Sequence, residues 1–401
     1  MKRRTVLETI SAAGVVGSTM LSGCLGSVGS SGTGYRWTYD GVGELDVVKE
    51  GTVFGRKGDD HSRMESAFAL DAATGRVRWT YGGTGYPGDY RELTVEDGVY
   101  FGDCGDDDCY DLYALDQDGE ERWVLEDVNP GHERPHVADG FVYVGNVQAY
   151  DAETGEEQWT RDFGSYSPIV DITDVVYVQF DDLIALDRGD GSTRWRYDPG
   201  AADDQAIRET AILDGVAYVV TRNQVASIAD GDELWRGDLE EDRIGPDTEI
   251  SGIASDRLVV FAEDAQTEDF RLYAFDVTTG ERDWVSDPIE HPNVEYRPQV
   301  DLQDDVVYVG TDRLRALNAA TGEERWSETV DAGPVQSVSV VEEGVEGDHA
   351  VFVHADETQL ASFDPTGELT WEDSVNGDIW NYLVNELAFV ATDAGIYALD
   401  Y

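Results

Sequence analysis

Lysine is nearly missing from this chain: Lys2, Lys49 and Lys57 are the only three in 401 residues. Basic residues total 28 against 84 acidic ones, a formal charge of −56. Such an excess of acid argues against nucleic acid and anionic lipid headgroups as partners. Cysteine is equally scarce. Cys24, Cys104 and Cys109 are not adjacent, and no complete zinc signature is present. Long apolar runs are missing too: the stretch from Ile10 to Met20 is rich in Gly and Ala and too short to span a bilayer. After residue 35 no segment holds helical periodicity over three turns. Neither a Ser/His/Asp constellation nor a phosphate-binding glycine loop is present.

What the chain does have is a repeat. Nine tryptophans, Trp37, Trp79, Trp123, Trp159, Trp195, Trp235, Trp284, Trp326 and Trp371, recur at intervals of 36 to 49 residues. All but Trp37 sit four residues after a glycine, as in Gly75–Trp79 and Gly322–Trp326. Upstream of each glycine runs a short apolar segment ending in Ala-Leu-Asp or a variant, such as Ala185-Leu186-Asp187. Runs of four to six residues rich in Val, Tyr, Leu and Trp, bounded by Gly, Asp or Asn, read as strands. Asp97-Gly98, Asp139-Gly140 and Asp214-Gly215 precede the tyrosine-bearing strands and mark hairpin turns. In Asp-x-x-Thr-Gly, Asp caps the turn and Gly supplies a positive φ. The following Trp needs burial, and the gap between neighbouring small sheets provides it.

This period is the length of one propeller blade. The expected fold is all-β, a single propeller of four-stranded blades over residues 35–401. Nine units are counted, or eight if one is degenerate. The last unit, ending Ile396-Tyr397-Ala398-Leu399-Asp400, is one strand short. Tyr35-Arg36-Trp37-Thr38-Tyr39 is a Trp strand with no Ala-Leu-Asp before it. The N-terminal strand is therefore expected to complete the last blade and close the ring, removing the open edges.

Strand, Leu-Tyr-Ala-Leu-Asp, x-x-Thr-Gly, x-x-x-Trp resembles the repeat of pyrroloquinoline-quinone-type propellers, and most of all the short BamB-like lipoproteins among them. The resemblance covers residues 35–401. It implies the fold, and a role as an extracytoplasmic interaction scaffold or assembly module, with a solute-binding sensor as the alternative. Quinone-dependent dehydrogenases share the repeat. For them the resemblance implies an adjacent Cys-Cys pair over the quinone, Ca²⁺ held by Glu and Asn, and an Asp base. Here no two cysteines are adjacent, so no enzyme activity and no cofactor is expected.

The N-terminus carries its own signals. Met1-Lys2-Arg3-Arg4-Thr5-Val6-Leu7 resembles a twin-arginine export signal. Leu21-Ser22-Gly23-Cys24 is similar to a lipobox, which makes 1–23 the signal and Cys24 the lipidated residue. Residues 24–34 then form a Gly/Ser tether reaching about 17–19 Å. The expected location is the outer face of the cytoplasmic membrane, with the propeller a monomer held by lipid alone and its partners other extracytoplasmic or membrane proteins. Acid spread over every repeat, with Arg preferred to Lys, resembles proteins of extreme halophiles. At molar salt the Debye length falls to about 3 Å and screens the self-repulsion.

Two candidate sites stand out. Asp103-Cys104-Gly105-Asp106-Asp107-Asp108-Cys109-Tyr110-Asp111 lies between two strands. An exported location lets Cys104 and Cys109 pair; a calcium loop over Asp103–Asp111 fits no EF-hand spacing, and metal held by the cysteines with His61 is the remaining reading. His132 and His136 lie among Pro130 and Pro135, which forbid the helix a paired site would need. The second candidate comes from register. Arg91, Arg134, Arg208 and Arg297 stand nine to eleven residues before the tyrosines of their units, with Tyr90, Tyr166, Tyr296, Trp380 and Tyr382 nearby. In family propellers this position starts the innermost strand, so these residues are expected to rim one mouth of the central channel as a partner-binding surface. The competing reading has each arginine neutralise the acids of its own loop.

Overall fold

The computed structural model describes residues 34–60, 63–82, 89–104, 109–128, 134–145, 147–163, 168–200, 206–239, 244–264, 267, 269–289, 297–331, 333–342 and 349–401. Among them the secondary structure is all strand and turn, arranged as nine antiparallel sheets. In chain order we call these blades 1 to 9. Blade 7 shows the plan: Gln299–Gln303, Val306–Gly310, Leu314–Asn318 and Glu324–Glu328 pair in sequence. Eight sheets have four strands. Blade 2 has five, because its inner strand is split into Asp89–Tyr90 and Thr94–Val95.

Burial follows strand position. The second strand of blade 7, Val-Val-Tyr-Val-Gly, is buried throughout, as a strand covered on both faces should be. The outermost strands bury little beyond tryptophan; Glu157–Thr160 exposes all but Trp159. First strands of neighbouring blades lie against one another, as in Gln299–Gln303 with Val335–Glu342 and Gly43–Lys49 with Ile379–Val384. They therefore form the inner ring.

The core is divided. Nine separate apolar clusters form, one at each boundary between adjacent blades. An open row of nine sheets has eight boundaries; the ninth exists because the ring is closed. That last cluster joins Trp37, Phe389 and Ile396 of blade 9 to Leu45, Phe68 and Leu70 of blade 1. Closure is by the N-terminal strand, as expected: Tyr35–Tyr39 pairs with Gly395–Leu399, Trp37 opposite Ala398. Trp37 is 8% exposed.

Each repeat tryptophan works in two directions. Within its blade it meets the aromatic residue of the second strand, centroids 5.7–6.2 Å apart in eight blades. Towards the next blade the Nε1 of seven of them donates to the residue after the capping Asp or Asn, as in Trp37 to Ala72 at 2.8 Å and Trp284 to Ala319 at 2.9 Å. The glycine of that next blade carries φ between 66° and 90°. It also leaves the space for the ring: a Cβ on Gly75 would lie 2.5 Å from Trp37, and one on Gly280 2.5 Å from Trp235. Gly and Trp four residues apart are thus not partners; each Gly receives the Trp of the preceding blade.

The Asp-Gly turns split into two kinds. Asp139-Gly140 and Asp214-Gly215 take positive φ at both positions, the type I′ hairpin. Asp97-Gly98 does not. There Asp97 accepts from the Tyr100 hydroxyl at 2.9 Å, and Gly98 admits the Leu115 carbonyl.

Candidate partner-binding mouth

A four-stranded blade places its outer-to-inner connection and its second-to-third hairpin on one face of the disc. The remaining hairpins lie on the other. Arg91 follows Asp89–Tyr90 and donates its amide to Gly102 at 2.9 Å. Arg134 precedes His136–Ala138, Arg208 precedes Glu209–Leu213, and Arg297 precedes Gln299–Gln303. All four therefore enter inner strands from the same face, in blades 2, 3, 5 and 7. Arg134 and Arg297 are exposed; Arg91 and Arg208 are half-buried.

On the outer strands Arg78 meets Asp71 at 2.9 Å, Arg122 meets Asp97 at 3.1 Å and Arg194 meets Asp187 at 2.9 Å. Each is neutralised within its own blade. Among the described residues Arg134 has no such pair; its charge acts on His136, whose imidazole is pushed down to about 4, first by burial and then by Arg134.

The aromatic companions separate. Tyr382 is not presented to the mouth. Its hydroxyl bonds Ser337 Oγ at 3.3 Å and Ser339 Oγ at 3.2 Å of blade 8, and burial raises its pKa. Trp380, partly buried, reaches from blade 9 onto the apolar cluster between blades 1 and 2. The backbone of Tyr90 pairs with Asp103. Tyr166 and Tyr296 lie outside the described residues, as do Cys24, His61 and His132.

Polar side chains also stitch the inner strands together. Asp301 of blade 7 accepts from the Val340 amide of blade 8 at 2.8 Å. Asn381 of blade 9 bonds both backbone groups of Leu45 in blade 1, at 3.1 and 2.6 Å. Reading by repeat did not find these, because they lie off the repeated motif. It also missed a carboxyl pair on the wall between blades 5 and 6: Glu209 is raised to about 7, by burial and then by Glu249.

In blade 2 the backbone sets Cys104 opposite Cys109 across the hairpin whose tip, 105–108, lies outside the described residues. Facing positions of an antiparallel pair are about 4.5–5.5 Å apart at Cα, within the range a disulfide spans. Among the described residues no group of three His, Cys, Asp or Glu side chains is placed to hold a metal ion. The sequence has no two adjacent cysteines, the pair that the resemblance to the dehydrogenases implies over the quinone. A cleft of about 230 Å³ opens on the outer flank of blades 7 and 8, beside Val330, Phe363 and Leu369, away from the arginines.

Nine blades, their tryptophan docking and their ring closure can be set beside known proteins. A family model described as outer membrane protein assembly factor BamB matches residues 27–197 and 180–401. The chain belongs to that family. Among solved structures, BamB from Moraxella catarrhalis is 17% identical with a TM-score of 0.49, covering 77% of this chain and 96% of its own. The computationally designed Ika8 protein is 14% identical with a TM-score of 0.52, covering 92% of this chain and all of its own. A europium-containing methanol dehydrogenase is 14% identical with a TM-score of 0.51, covering 80% and 84%. At these identities the likeness is one of fold. No curated protein matches the chain.

Proposed function

We propose that this BamB-family propeller is a protein-interaction scaffold, tethered outside the cytoplasmic membrane by a lipid on Cys24. The observation that carries the reading is the placement of Arg91, Arg134, Arg208 and Arg297 on one face, in four sectors of the inner rim. In a chain of −56 charge such a rim is a local cationic patch. Guanidinium forks suit carboxylates, and a rim surrounding a channel keeps a field that exposed flanks lose to screening. The partner is then another extracytoplasmic or membrane protein, and the propeller acts as a monomer without cofactor. The acid excess fits work in concentrated salt, and the register of Cys104 against Cys109 supports a disulfide stapling the blade 2 hairpin.

Capture from salt-washed membranes tests the reading. Full-length protein should retain a partner that Arg91→Glu/Arg297→Glu loses, with little change in melting temperature. Equal capture by parent and variant would move the binding surface off this face. Reconstitution with pyrroloquinoline quinone and Ca²⁺ tests the enzyme alternative directly; turnover of an alcohol would overturn the scaffold assignment.

A further inference from the structure

The cleft between blades 7 and 8 marks a departure from the repeat. At two other boundaries the second residue after one tryptophan bonds the second residue before the next. Between blades 1 and 2 these are Tyr81 and Glu121, whose side chains hydrogen-bond at 2.9 Å. Between blades 4 and 5 they are Tyr197 and Glu233, bonded at 2.7 Å. Between blades 7 and 8 the same positions hold Glu328 and Leu369. A carboxylate has no hydrogen bond to make with a leucine side chain, so this bridge is missing where the cleft of about 230 Å³ opens. The floor there is apolar: Val330, Ala361 and Phe363 are buried, and Leu369 is 49% exposed.

Charge singles out the same place. Residues 326–401 hold 16 Asp and Glu and no Lys or Arg. Blade 8 therefore lacks the arginine that answers an acid of the same blade elsewhere, as Arg78 does for Asp71 and Arg325 for Asp305. Glu328, Asp331 and Glu372 line the cleft and are exposed. Among the described residues none of these three has an Arg or Lys within ion-pair distance. Acid is general on this protein, but here it borders open apolar surface. Leu369 is what opens it, standing where blades 2, 3, 5 and 7 carry Glu121, Glu157, Glu233 and Glu324.

We infer that this cleft docks one extended basic segment of a partner protein. An apolar side chain of the segment rests on Val330, Phe363 and Leu369, and Arg or Lys residues flanking it meet Glu328, Asp331 and Glu372. The site goes beyond the rim reading, since it lies on the outer flank and selects the opposite charge. An apolar anchor seated in a pocket inside a polar border is how protein contacts are built. A polyamine would answer the acids and leave the floor wet; a small apolar molecule would leave the carboxylates unanswered. In concentrated salt exposed ion pairs are screened. The apolar contact then holds the segment, and cations on the carboxylates fix its direction.

The test uses full-length protein and three labelled peptides at fixed high salt, with Arg-Leu-Arg, Arg-Gly-Arg or Gln-Leu-Gln at the centre of one Gly/Ser frame. The Arg-Leu-Arg peptide should bind at least tenfold tighter than either of the others. Leu369→Glu should erase the gain from leucine, and Glu328→Gln/Glu372→Gln the gain from arginine. Glu157→Gln, at the position of blade 3 equivalent to Leu369, should change neither. All four side chains are exposed, and circular dichroism checks that each variant keeps the fold. Equal binding of the three peptides, or an unchanged preference in Leu369→Glu, overturns the site. Arg91→Glu/Arg297→Glu should keep the peptide preference, so failure of the rim reading leaves this titration readable; loss of the preference there would move the peptide to the rim and overturn the cleft. Three outcomes overturn the partner assignment. Spermidine displacing the peptide at equal concentration would favour a small polyamine. A dimer dissociated by Leu369→Glu would favour a second copy of the chain. Binding confined to protein lacking residues 1–23 would favour the chain's own Lys2-Arg3-Arg4 segment.

Discussion

A glycine can be required for its φ, for its missing side chain, or for both, and this chain separates the cases. Gly75 and Gly215 have similar angles, 68° and 78°. A Cβ on Gly215 would meet nothing within 4 Å, whereas one on Gly75 would strike the Trp37 ring. Gly215→Ala should therefore cost only the left-handed strain, about 1–2 kcal/mol. Gly75→Ala adds overpacking of about 1–3 kcal/mol. Denaturant titration of both variants should rank them in that order, and equal losses would remove the docking role. Glu209 gives a second residue-scale expectation. Its carboxyl is raised from 4.5 to about 7 by burial and then by Glu249. The neutral form is favoured in the folded state, so its stabilising contribution is complete below pH 4.5 and lost as pH rises through 7. Glu209→Gln should show a melting temperature that gains on the parent between pH 4.5 and 7 and keeps a constant lead above. A gap independent of pH would contradict the assignment.

At the scale of elements, the unit of stability is the boundary between blades, where one outer tryptophan, one turn and one apolar cluster meet. Boundaries differ in how completely they follow the rule. The tight Asp230-Gly231 turn of blade 5 is shorter than the Asp-x-x-Thr-Gly turns, and Trp195, which packs there, keeps its glycine contact at Gly231. At blade 9 Tyr401 takes the glycine's place, meeting Trp371 edge-on at 6.4 Å. The closing boundary is the most instructive, because Tyr35–Tyr39 pairs on one side only, with Gly395–Leu399. Trp37→Ala should cost about 3–5 kcal/mol, since it empties the cluster shared with Phe68 and Phe389 and leaves the Ala72 carbonyl without its indole donor. A melting temperature unchanged by that substitution would show that the strand is not the clasp.

For the molecule as a whole, charge and attachment are the testable quantities. Own-blade pairs such as Arg78 with Asp71 are exposed, and pairs of that kind contribute little. They leave most of the acid unpaired, so stability should rise steeply with salt as repulsion is screened. A melting temperature flat between about 0.1 M and 1 M KCl would contradict this. Cys24→Ser should release the protein from membranes with its fold unchanged, because residue 24 precedes the repeat, which begins at residue 35. Retention in the membrane fraction would point to a different anchor.

The repeat was legible in the sequence because each blade solves the same local problem. Alternating strand runs, Asp-capped turns with glycine and one large ring per unit recur, and counting them yields nine blades and the N-terminal clasp. Position along a strand also placed Arg91, Arg134, Arg208 and Arg297 at one face, since register converts directly into height in a propeller. Contacts between blades were another matter. That Gly75 serves Trp37 of blade 9, that Tyr382 spends its hydroxyl on blade 8, and that Asn381 of blade 9 holds Leu45 of blade 1 are relations between segments whose separation no local pattern encodes. Periodicity determines which way a side chain faces within its sheet; only the closed ring decides what it faces.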